Sequence, residues 1–107
     1  MKGEPLKGHL DMLLLAALSD APLHGYAVIE HLRERSSGTF DLPEGTIYPA
    51  LHRLEHAGHL RSRWSNAAGR RRRVYELTPS GVEALQGQRR DWQRFSDGVA
   101  AVLGVAG

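Results

Sequence analysis

The chain predicts a mainly α-helical fold with one small β-hairpin and a long final helix. Three observations predict it. Apolar residues recur at helical spacing from Leu10 to Leu54. The period then shortens to two from His59 to Leu77, across a turn cluster at Asn66-Ala67-Ala68-Gly69. Helical spacing returns after Pro79 and continues to about Leu103.

Each element follows in order. Residues 1–7 read as a loose arm. A first helix is expected over 8–19, with Leu10, Leu13, Leu14, Ala17 and Leu18 on one face. Asp20-Ala21-Pro22 makes a turn. A second helix is expected over 24–36, lined by Tyr26, Ile29 and Leu32, with Arg33, Glu34 and Arg35 solvated. Thr39-Phe40-Asp41-Leu42 has the composition of a short strand. The third helix carries Ile47, Leu51 and Leu54 on its buried side and Tyr48, His52, Arg53 and Glu55 on the other. Thr46 is its expected N-cap, Pro49 falls in its first turn, and Gly58 stops it. The hairpin runs out over 59–64 and back over 71–77. Thr78 caps the last helix and Pro79 takes its first position. Val82, Leu85, Trp92, Phe95, Val99, Val102 and Leu103 form a stripe along it. That stripe is too long for a small core to cover, and a second copy of the chain covers it most simply.

Composition narrows the function. The 107 residues carry a net charge of only +2, but the charge is uneven. Six arginines and no acid lie between Arg61 and Arg73, and twelve of the fourteen basic residues are Arg. Arg suits bidentate phosphate and base contacts; a GC-rich coding sequence also enriches it. The absence of Cys excludes disulfides, thiolate zinc sites and thiol catalysis. The apolar run from Met12 to Leu18 is too short to span a membrane, and flanking Asp11 and Asp20 make it a poor leader. A cytoplasmic protein without cofactor is expected. No nucleophile elbow surrounds any Ser, and the acids are scattered, so catalysis is not expected.

Helix, helix, helix, hairpin, long helix is the order of a winged helix-turn-helix. The segments that carry it are Leu23-His24-Gly25-Tyr26, Gly45-Thr46-Ile47-Tyr48-Pro49-Ala50-Leu51-His52-Arg53-Leu54, Gly58-His59-Leu60, and Gly69-Arg70-Arg71-Arg72-Arg73-Val74-Tyr75-Glu76-Leu77-Thr78 with Gly81. Together they resemble the PadR-type transcriptional regulators, in the short subfamily with one C-terminal dimerisation helix. Val74 and Glu76 depart from the aromatic and basic residues that many members carry there. The resemblance implies a winged helix-turn-helix DNA-binding domain over 1–78 and a dimerisation helix over 79–107. It also implies a homodimeric repressor on a palindromic operator, upstream of its own gene and of a transporter or detoxification gene. Some members release DNA when a hydrophobic compound binds.

The candidate sites follow, each with a competing reading. Thr46, Tyr48, Pro49, His52 and Arg53 are expected to read double-stranded DNA from a recognition helix; alternatively, Arg53 pairs with an acid and Tyr48 packs on the first helix. Gly69, Arg70, Arg71, Arg72 and Arg73 are expected to form the wing. Strand alternation places Arg70 and Arg72 on one side and Arg71 and Arg73 on the other; a merely solvated charge run is the alternative. Leu85, Trp92, Phe95, Val99 and Val102 are expected at a dimer interface. Two copies of Trp92 there can sandwich a flat aromatic effector, although aromatic stripes at helical spacing more often only pack. His52, His56 and His59 suggest a metal by spacing alone, but six histidines in a chain are more often surface residues, and no metal is expected. His24 reads as structural. A winged-helix adaptor without DNA binding is the rival function, but it has no need of clustered arginines.

Overall fold

The computed structural model describes residues 8–105; the expected arm at 1–7 lies outside them. The elements are α1 (Leu10–Ala17), β1 (Leu23–His24), α2 (Gly25–Arg35), α3 (Glu44–His56), β2 (Leu60–Ser65), β3 (Arg72–Leu77) and α4 (Pro79–Leu103). A short 3₁₀ turn at Ala67–Gly69 joins β2 to β3. No helix among the described residues is long and apolar enough to cross a membrane.

Helices α1, α2 and α3 close one core. Leu14, Leu15, Val28, Ile47 and Leu51 are fully buried in it, joined by Leu18, Ile29, Leu32, Leu54, Leu60 and Tyr75. The expected stripe on α2 is shifted: Val28 fills the core, whereas Tyr26 faces outward. The hairpin is as expected, with antiparallel pairs from Leu60↔Leu77 to Ser65↔Arg72. What the hairpin reading missed is β1. Its two residues pair with the other edge of β3, Leu23↔Tyr75 and His24↔Val74, giving a three-stranded sheet of order β1-β3-β2. Two residues are too few to show a period.

Thr39–Leu42 is not a strand. Ser37 and Gly38 have left-handed backbones (φ 52° and 84°), and the Phe40 amide donates to the Ser36 hydroxyl at 2.8 Å. The segment is thus tied to the end of α2, and Leu42 drops into the core. Helix α3 also starts earlier than expected. Pro43 is its N-cap, Thr46 lies inside the first turn, and Pro49 sits in the helix interior. Proline has no N–H to return to the Gly45 carbonyl, and both residues are exposed.

Thr78 caps α4 as expected, its hydroxyl accepting from Gly81 N–H at 3.1 Å and donating to the Gly58 carbonyl at 2.6 Å. A Cβ on Gly81 would stand 2.1 Å from the His59 carbonyl oxygen, so only glycine lets α4 start this close to β2. Leu85 is buried in the chain's own core, at 4% exposure. It is therefore not left for a partner, which corrects its place in the expected interface. Past Leu85 the helix leaves the core. The radius of gyration is 15.0 Å, against about 13 Å for a compact chain of this length.

Candidate nucleic-acid interface

Helix α3 turns one continuous face outward. At about 100° per residue, Tyr48, His52, Gly45, His56, Pro49 and Arg53 succeed one another around it, opposite Ile47, Ala50, Leu51 and Leu54. All but the half-buried Tyr48 are exposed, and half-buried Thr46 borders the same face. Gly45 and His56 belong to this surface although neither is among the expected DNA-reading residues. The earlier start brings Gly45 into the helix, and His56 lies one turn after His52.

Arg53 is not free to swing. Its Nη1 and Nη2 donate to both carboxylate oxygens of Asp11 on α1, at 2.8 and 2.7 Å. The bond to Asp11 raises the guanidinium's pKa further above its usual range. Arg53 thus faces the surface as one half of an ion pair. The alternative reading of Tyr48 packs it on the first helix; its ring lies over Gly25 at the start of α2. A Cβ built on Gly25 would stand 2.4 Å from Tyr48 Cε1 and 2.7 Å from its hydroxyl oxygen. Gly25 is therefore the seat of Tyr48, which ties the Leu23-His24-Gly25-Tyr26 segment to α3.

The expected alternation holds at Trp64, although Arg73 also reaches the cleft lined by Arg70 and Arg72. Arg71 and Arg73 lay their guanidinium groups over Trp64, 4.7 and 5.4 Å from its ring centroid. On the β1 side of β3, Arg72 Nη1 lies 2.8 Å from His24 Nε2. Arg70, Arg72 and Arg73 line a cleft of about 310 Å³ with His24, Gly25, Tyr26 and Tyr48. Gly69 and Ala68 take left-handed conformations at the wing tip (φ 71° and 59°). Trp64 was legible as a strand residue but not as a site residue; its register opposite Arg73 is the signal.

Acids neutralise only part of this surface. Glu76 receives Arg61 Nε at 2.9 Å across the ladder. That gives the departure from the usual basic residue a local partner. Glu55 accepts from the Ser62 hydroxyl and lies 3.8 Å from Arg73. Arg63, Arg70, Arg71 and Arg72 form no ion pair among the described residues. Burial first, then Arg72, lowers the pKa of His24, and Glu30 opposes them. Burial raises that of Tyr75, with Glu55 adding to it.

The remaining candidates scatter or stay uncovered. His52 stacks loosely toward Tyr75, 6.5 Å between centroids, and His59 Nδ1 lies 3.0 Å from the Ser80 hydroxyl. Among the described residues no three metal-ligating side chains converge. On α4, Trp92 meets the edge of His9 at 5.3 Å and Phe95 at 6.0 Å. Phe95, Val102 and Leu103 remain 59%, 88% and 68% exposed.

Comparison with known proteins places this geometry. The pattern of the transcriptional regulator PadR-like family matches residues 14–87. A transcriptional regulator of Mycobacterium tuberculosis is 39% identical over 77 residues, covering 72% of this chain and 69% of that protein. A PadR family regulator of Clostridium difficile superposes with a TM-score of 0.78 at 35% identity, over 90% of this chain and 98% of that one. A PadR family regulator of Eggerthella lenta gives 0.80 at 33% identity, over 94% and 86%. The winged-helix fold is thus shared with transcriptional regulators, and the chain belongs to the PadR-like family of transcriptional regulators.

Proposed function

We propose that this chain is a homodimeric repressor that reads a palindromic operator upstream of its own gene and of a transporter or detoxification gene. The observation that carries the reading is the cleft between α3 and the wing. There Arg70 and Arg72, which form no ion pair among the described residues, stand beside Tyr48 at the edge of an exposed helix face. That helix fits a major groove, and the arginines suit its flanking phosphates. Residues 1–78 form the DNA-binding unit in this reading. Tyr48, Pro49 and His52 face bases, together with Thr46 at the border, and Gly69 to Arg73 hold the backbone. Arg53 reaches DNA only by sharing itself with Asp11. Residues 79–107 dimerise, through the exposed stripe Trp92, Phe95, Val99 and Val102. A flat hydrophobic effector between two Trp92 rings would spread or close the two α3 helices. The test is fluorescence anisotropy of labelled DNA from upstream of the gene, against a scrambled duplex, at two salt concentrations. The reading expects a wide affinity gap and a steep salt loss. Weak, equal binding to both would favour the adaptor.

A further inference from the structure

His24 stands where α2, the sheet and the wing meet, and it has one lone pair for two donors. The backbone N–H of Ala27 points at Nδ1 from 3.2 Å. Arg72 Nη1 lies 2.8 Å from Nε2. A peptide N–H and a guanidinium can only donate, whereas a neutral imidazole has one bare nitrogen and one N–H. The two contacts therefore compete, and a protonated ring could accept neither. The Arg72 contact is the shorter, and its donor is charged, which makes for the stronger bond. The α2 cap has a substitute in water, because Ala27 and His24 are only half-buried. The groups around the ring are Tyr26 and Glu30 on α2, Tyr48 on α3, and Arg70, Arg72 and Arg73 of the wing. Burial and Arg72 outweigh Glu30 and hold the ring neutral.

We infer that His24 is a positioning residue for the wing: its bare Nε2 accepts one N–H of Arg72 and holds the guanidinium in the cleft, with its other N–H donors left for a DNA phosphate. The inference rests on the DNA-binding reading and adds to it a residue that acts through Arg72. It also gives β1 a purpose, since pairing His24 with Val74 sets the ring beside the wing.

Two measurements test it together. The first is ¹⁵N NMR of the His24 ring in the DNA-free protein at neutral pH. The proton is expected on Nδ1 and the lone pair on Nε2; the opposite tautomer, with Nδ1 bare to cap α2, would overturn the inference. The second is a double-mutant cycle on DNA binding with His24→Asn and Arg72→Ala. Asn is a strong N-cap, so the helix start is kept, but its side chain is too short to hold Arg72. Fixing one flexible side chain in advance predicts a roughly two- to tenfold affinity loss for His24→Asn when Arg72 is present. No further loss is expected in the Arg72→Ala background. Equal losses in both backgrounds, or none in either, would contradict the inference. If the unmodified protein binds no duplex at all, the DNA-binding reading falls, and the tautomer alone decides for His24.

Discussion

Arg70 and Arg72 line the cleft beside Tyr48 and, among the described residues, form no ion pair. Replacing both with Ala is expected to weaken binding to every duplex. The slope of log affinity against log salt should also fall by about 2, one for each phosphate no longer neutralised. Titrations at several salt concentrations check this, and an unchanged slope would take the pair off the backbone. Gly25 supports a stability prediction. Gly25→Ala forces Tyr48 off its seat and is expected to cost about 1–3 kcal/mol in urea unfolding. Most of that should return when Tyr48→Ala is added. An equal loss without the ring would locate the strain elsewhere. His24 supports a pH prediction. Its pKa is lowered in the fold, so the unfolded chain binds the proton more readily. The stability linked to this group is complete above the ordinary histidine value of about 6.5 and is lost as pH falls through the lowered value. Thermal unfolding from about pH 7 to about pH 5 should therefore destabilise the natural protein more than His24→Asn. Parallel curves would contradict the assignment.

At the scale of elements, the helices and the hairpin were legible because each carries its own period and punctuation. Thr78, Pro79 and Gly81 announce α4 in four residues. The missing elements are those set by contact at a distance. β1 is two residues long and is made a strand only by β3. Thr39–Leu42 has strand composition, but the Ser36 hydroxyl and a left-handed corner decide it. The start of α3 was misplaced because Thr46 is the better cap by type, while Pro43 holds the position. Helix α4 shows the same limit. Its spacing gives an apolar stripe but does not tell which residues the chain buries itself. Leu85 goes to the core, and Trp92, Phe95 and the residues beyond it stay outside. Phe95→Glu with Val102→Glu is expected to leave the core folded by circular dichroism and to yield monomers in sedimentation. A dimer that survives both charges would place the partner on another face.

For the whole molecule, a net charge of +2 conceals a strongly basic wing. Total charge therefore understates what one face can do. The candidate site was legible as residue types: the arginine run, and Tyr48, Pro49 and His52 on α3. The geometry joining them was not. That Arg53 is committed to Asp11, that Gly25 seats Tyr48, and that Trp64 carries two guanidinium groups all depend on the packing of separate segments. The measurement that tests the central reading most directly is a selection of bound duplexes from a random DNA library by the unmodified protein. The account predicts an enriched inverted repeat whose half-sites lie about 34–36 Å apart, one helical turn, or a simple multiple of it. A bound pool without a shared sequence, or no bound pool at all, would contradict a sequence-specific dimeric regulator.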